Sequence, residues 1–110
     1  MKIIENSKVK EKVYVEKLEN GLTVMIIPKK GVQKKYVIWG TNYGSNDSKF
    51  VVPGEEQETE VPKGVAHFLE HKMFEQESGV NSLDTLTALG VEANAYTTND
   101  HTAYLFECTE

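Results

Sequence analysis

Arginine is absent from this chain, and all twelve of its basic residues are lysines. Without a guanidinium there is no planar fork to grip a guanine edge or a phosphate in bidentate fashion. Positive charge is also in the minority. Seventeen acids leave a formal net charge of −5, and a nucleic-acid partner is excluded because it would require clustered positive charge. Cysteine is nearly missing too. The single Cys108 can close no internal disulfide and forms no CxxC pair, so its plain reading is a small apolar residue in a strand. No stretch approaches the roughly 20 apolar residues that cross a bilayer, and the opening MKIIENSKVKEK has no apolar core of a leader. These absences lead us to expect a soluble chain in the reduced cytoplasm, with no membrane and no nucleic-acid partner.

What is present suits one domain with a modest core: 110 residues, 39% of them hydrophobic. The runs Val13 to Glu19 and Leu22 to Pro28 flank Asn20-Gly21, a strong two-residue hairpin signal. Lys35 to Ser45 is β-branched and aromatic, as a third strand should be. The segment NDSKFVVPGEEQETE is rich in turn residues and glutamate and reads as a solvated loop. Pro62 suits the first turn of a helix, expected to run to about Phe74. A shorter helix fits NSLDTLTALG, with Asn81 as its cap and Gly90 as its stop. Val91 to Thr98 and Thr102 to Cys108 then read as two strands joined through Asn99 and Asp100. The order βββααββ points to an α+β fold, a mostly antiparallel sheet with helices on one face.

The chemistry concentrates in VAHFLEHKMFE, Val65 to Glu75. At about 100° per residue, His67, Glu70 and His71 fall on one side of the helix. Val65, Leu69 and Met73 fall on the opposite side, which should pack on the sheet. Gly64, about one turn earlier, leaves the space over the imidazoles without a side chain. Histidines at i and i+4 can both reach one zinc ion, and the adjacent carboxylate is then left to reach a water. That is the division of labour hydrolysis needs, with a metal to activate water and Glu70 as the base that moves its proton. The pattern HxxEH reverses the HExxH of other zinc peptidases and is the inverzincin signature. A shuffled chain of this composition would produce it roughly once in 150 tries, so by itself the motif is also compatible with two surface histidines and an incidental glutamate.

The motif does not stand alone. NGLTVMIIP, the Gly44-Ser45 pair, GVAHFLEHKMFE and NAYTTNDHTAYLF occur in the order and approximate spacing of the pitrilysin or insulinase family of zinc metallopeptidases, which the chain resembles from about Leu18 onward. The form EHKMFE is most similar to the bacterial branch. The resemblance implies a metalloendopeptidase acting on peptides or small unfolded proteins, with His67 and His71 on Zn2+ and Glu70 as general base. It further implies that Asn94 and Ala95 lie on a strand that pairs with substrate backbone. Alternation independently puts Glu92, Asn94, Tyr96 and Thr98 on one face, and Val91, Ala93, Ala95 and Thr97 on the other. An added peptide strand would be held mainly by main-chain bonds.

A catalytic zinc takes three protein ligands and keeps one open position, and this helix offers two. Glu75, about 12 Å along the axis from His67, cannot share an ion with it. Asp100, His101 and Cys108 could do so only if the last hairpin folded across the histidine face. The resemblance implies that the third ligand is a glutamate beyond residue 110. It also implies that a facing homologous half-domain or subunit completes the cleft. On this reading residues 1–110 are the N-terminal portion of one incomplete peptidase domain, inactive alone and prone to self-association through uncovered apolar surface. Two other readings stay open. One is a non-catalytic partner or scaffold subunit of a peptidase pair. The other is a structural zinc site with a fourth protein ligand and no bound water.

Overall fold

A computed structural model describes residues 1–109. Strands β1 (Lys2–Asn6), β2 (Glu11–Lys17) and β3 (Thr23–Ile26) are followed by β4 (Lys35–Thr41), β5 (Lys49–Val51) and β6 (Glu58–Glu60). Helices α1 (Val65–Lys72) and α2 (Ser82–Ala88) come next, and β7 (Glu92–Thr97) and β8 (Thr102–Cys108) close the order. All paired strands are antiparallel, and the α+β class holds. The sheet is divided, however, into two of three strands and one of two. Among the described residues no helix is long and apolar enough to cross a membrane.

The chain forms two compact units, Met1–Val32 and Gln33 onward. The first is the meander β1-β2-β3. Its β2–β3 turn falls at Asn20-Gly21 as expected, but with three loop residues instead of two. Leu18 N–H donates to Leu22 O at 2.8 Å, and Gly21 turns the chain at φ 88°. A three-residue loop with a left-handed glycine is the next commonest hairpin solution. Asn20 Oδ1 accepts the Leu22 N–H at 3.1 Å and fixes the turn further. Strand β1 lies outside the sequence expectation. Its alternation is short and interrupted by charge, and it owes its extended form to pairing with β2 from Lys2↔Val15 to Asn6↔Glu11.

In the second unit β8 lies between β4 and β7. Thr97↔Thr102, Ala95↔Tyr104 and Ala93↔Phe106 are opposed across β7 and β8, while Thr41, Trp39 and Val37 continue the same rows on β4. Opposed residues share a face, and α1 and α2 both lie against that face. Among the described residues the only buried apolar side chains are Ala66, Phe74 and Ala103. On β4, Tyr36, Val37, Ile38 and Trp39 are each more than half exposed, so the apolar content expected to form a modest core is largely left at the surface.

Three sequence expectations fail in this unit. The expected solvated loop contains the β5–β6 hairpin, with Phe50 opposite Thr59 and Lys49 paired to Glu60 across the strands. The third strand ends at Thr41, not Ser45. Helix α1 starts at Val65 because Gly64, its N-cap, is left-handed at φ 95°, and it is over by Lys72. Pro62 therefore precedes the helix. The second helix matches its expected signals: Asn81 Oδ1 accepts the Leu83 N–H at 2.8 Å, and Gly90 turns away at φ 77°.

Candidate active site

Helix α1 packs on the sheet through a face turned about 100° round the helix from the expected one. Its buried positions are Ala66 and Glu70, continued by Phe74 just past the helix, an i, i+4, i+8 stripe. Leu69 and Met73, expected to meet the sheet with Val65, are 45% and 63% exposed. Val65 itself is half-buried. Small Ala66 allows the helix to approach closely, and Phe74 stacks edge-on against Tyr104 of β8, with ring centroids 5.6 Å apart. A glutamate on the packed face would be costly without a partner. Thr97 Oγ1 supplies one by donating to Glu70 Oε2 at 2.7 Å.

The three motif residues are brought together as their spacing predicts. His67 and His71 are exposed and Glu70 is buried, and their ligating atoms all lie within 4.8 Å of one another. The two imidazoles meet at Nε2, 3.1 Å apart. Two zinc–nitrogen bonds of about 2.0–2.1 Å reach across that gap at an angle near 100°, close to tetrahedral, so the donor pair fits a single ion. At Gly64 an added Cβ would meet no atom within 4 Å. Glu75 is not part of this group and pairs with Lys72.

The other candidates sit where the strands carry them. In β7 the even positions are exposed and the odd ones half-buried, so Asn94 faces away from α1 as alternation predicts. Thr98 N–H donates to His101 O at 2.8 Å. That bond sets the alternation of the ladder, so Ala93, Ala95 and Thr97 direct their main-chain groups away from β8, toward the open edge of the sheet. There the Ala95 N–H is taken by Asn94 Oδ1 at 2.9 Å.

Asp100 and His101 stay in their turn, away from the histidine face. His101 Nδ1 lies 2.6 Å from Asp100 Oδ1 and 2.8 Å from Thr98 Oγ1. Hydrogen bonds to Asp100 from His101 first and then from Thr98 hold its carboxyl below the ordinary pKa. Cys108 ends β8, half-buried.

Two residues at the site carry roles that the sequence does not announce. Alternation puts Thr97 on the inward face and no more, although it is the one hydroxyl among Val91, Ala93, Ala95 and Thr97, and that oddity is the available signal. Tyr104 lies on the same face, and its phenol pKa is raised by burial and then by the nearby charge of Glu70.

Comparison with known proteins adds relatives. The family model described as insulinase, peptidase family M16, matches residues 49–110. The uncharacterized zinc protease YmfH of Bacillus subtilis is 45% identical over 109 residues, which are 99% of this chain and 25% of that protein. A probable zinc protease of Escherichia coli, PqqL, is 32% identical over 86% of this chain and 10% of its own length. An M16-like peptidase of Alicyclobacillus acidocaldarius, known from a crystal structure, superposes with a TM-score of 0.81 at 39% identity, covering 97% of this chain and 24% of that one. The chain thus spans about a quarter of YmfH and of the solved peptidase.

Proposed function

Because the chain belongs to the insulinase family of peptidases, family M16, we propose that it forms the N-terminal part of a zinc-dependent metalloendopeptidase domain that hydrolyses peptides or small unfolded proteins. The observation that carries this reading is the pairing of the His67 and His71 Nε2 atoms, 3.1 Å apart at the surface, beside a buried carboxylate that is anchored from behind. Two donors converge on one point, and the acid next to them is held by something else.

Zinc bound by the two imidazoles would supply Lewis acidity to a water and to the scissile carbonyl. Glu70 takes the proton of the attacking water as the new oxygen–carbon bond forms, and passes it to the amine as the carbon–nitrogen bond breaks. Its burial, at 7% exposure, shields that proton from bulk solvent. The substrate lies along the open edge of β7 as an added strand. It displaces the Asn94 side chain from the Ala95 N–H and bonds the main chain there, giving loose sequence preference.

The third ligand comes from outside residues 1–110. Among the described residues the cluster holds His67, Glu70 and His71 and no further candidate. A facing half of similar fold closes the cleft and, with the rest of the domain, covers apolar surface such as Trp39 and Phe68 that stands exposed. The test is Glu70→Gln in the intact peptidase that carries this chain. Zinc content should be unchanged while peptide hydrolysis drops by roughly 10²- to 10⁴-fold. Undiminished turnover would refute the assignment of the base.

A further inference from the structure

Glu70 has two carboxylate oxygens, and they are placed differently. Oε2 is 2.7 Å from Thr97 Oγ1. The Thr97 hydroxyl has a single proton and a second neighbour, Thr102 Oγ1, at 3.3 Å. Thr102 in turn donates its own proton to the Tyr43 carbonyl at 2.8 Å. A base must be ionised to act, and a carboxylate only accepts. The Thr97 proton therefore goes to Oε2, the shorter contact and the charged one.

The hydroxyl is also rigidly sited. Thr97 is opposite Thr102, the residue that is itself opposite Thr41 across the other ladder. The chain just beyond it is tied down by Ser45 N–H to Thr98 O at 2.9 Å and Asn46 N–H to Asn99 O at 3.0 Å. A β-branched side chain in such a strand has little freedom at χ1.

We propose that Thr97 is a positioning residue for the reaction. By donating to Oε2 it fixes the plane of the Glu70 carboxylate and leaves Oε1 as the oxygen that receives the proton from water. This inference rests on the reading of Glu70 as the base. It assigns the hydroxyl a job beyond satisfying a buried acid. A purely structural bond would show up in stability alone, whereas a positioning bond shows up in the chemical step.

The experiment compares Thr97→Val, Thr97→Ser and Glu70→Gln in the intact peptidase. Valine keeps the shape and removes the hydroxyl, and serine restores it. Thr97→Val should lower kcat by roughly 10- to 100-fold, the loss expected for one hydrogen bond to a charged group. KM and zinc content should be unchanged, and Thr97→Ser should recover most of the loss. In metal-free crystals of Thr97→Val the Glu70 carboxylate should leave its single orientation.

Wild-type kcat in Thr97→Val, alongside an inactive Glu70→Gln, would overturn the positioning role while leaving the base in place. Equal losses in the valine and serine variants would overturn it as well, by making the role steric. An unmoved carboxylate in the valine crystals would do the same. An active Glu70→Gln would instead remove the base assignment beneath it.

Discussion

Gly44→Ala should be among the most damaging single-methyl additions in the chain. Gly44 is buried in the loop after β4, and a Cβ there would lie 2.4 Å from Asp100 N, 2.5 Å from Asn99 C and 2.6 Å from Asn99 O. All three are main-chain atoms of the β7–β8 turn, so no side chain can rotate out of the way. The loop and the turn must part. That would sacrifice the bonds from Ser45 N–H to Thr98 O and from Asn46 N–H to Asn99 O, worth about 1 kcal/mol each. Strain from overpacking adds about 1–3 kcal/mol. The expected loss is therefore about 3–5 kcal/mol, which in a domain of this size lowers Tm by roughly 12–30 °C. Thermal unfolding followed by circular dichroism would measure it, with Gly40→Ala as the control, since a Cβ at Gly40 meets no atom within 4 Å. A Gly44→Ala melting curve within about 2 °C of the parent would refute the argument, because the close approach would then carry no energetic weight.

The face by which α1 packs can be tested the same way. Phe74→Ala should cost about 3–5 kcal/mol and Leu69→Ala less than about 1 kcal/mol, as read by chemical denaturation, and the reverse order would restore the face that the sequence suggests. Asn81→Ala should remove the cap of α2 at a cost of about 1 kcal/mol in the same assay. The Asp100 carboxyl should titrate below the ordinary aspartate range by carbon-detected NMR and return toward it in His101→Gln, because the lowered value comes first from the His101 hydrogen bond. The sign follows: for a depressed carboxyl the stabilising contact is complete above the ordinary range and is lost as pH falls through the lowered value.

The elements that can be read from the sequence are those whose signal is local. Asn20-Gly21, the Asn81 cap, Gly90 and the Asn99-Asp100 turn each act through their own backbone, and each sits where it is expected. The alternation of β7 and the convergence of His67, Glu70 and His71 follow from strand and helix geometry alone. Where pairing partners make the structure, the local signal fails. Strand β1 and the β5–β6 hairpin are short segments interrupted by charge, too brief for an alternation to show, and exist through their ladders. The α1 face misleads for a related reason. Glu70 reads as part of a polar side until Thr97 is known to stand opposite it, whereas Leu69 and Met73, expected to meet the sheet with Val65, remain exposed. A buried acid is stable only with a donor, and that donor is 27 residues away in sequence. For the site itself, spacing is enough to bring His67, Glu70 and His71 together, but not to find the hydroxyl that bonds Glu70.

If His67 and His71 bind one metal ion while Glu70 stays off it to move protons, zinc-grown crystals of the intact peptidase should show it, with anomalous data collected on both sides of the zinc edge. The expected result is one peak at about 2.0–2.1 Å from Nε2 of both histidines, with a third protein ligand from outside residues 1–110 and an open position. The Glu70 carboxylate should lie beyond bonding distance and still accept from Thr97. A peak that engages only one of the two histidines, or that is bonded directly by Glu70 in a closed sphere of four protein ligands, would contradict the division of roles on which the proposed chemistry depends.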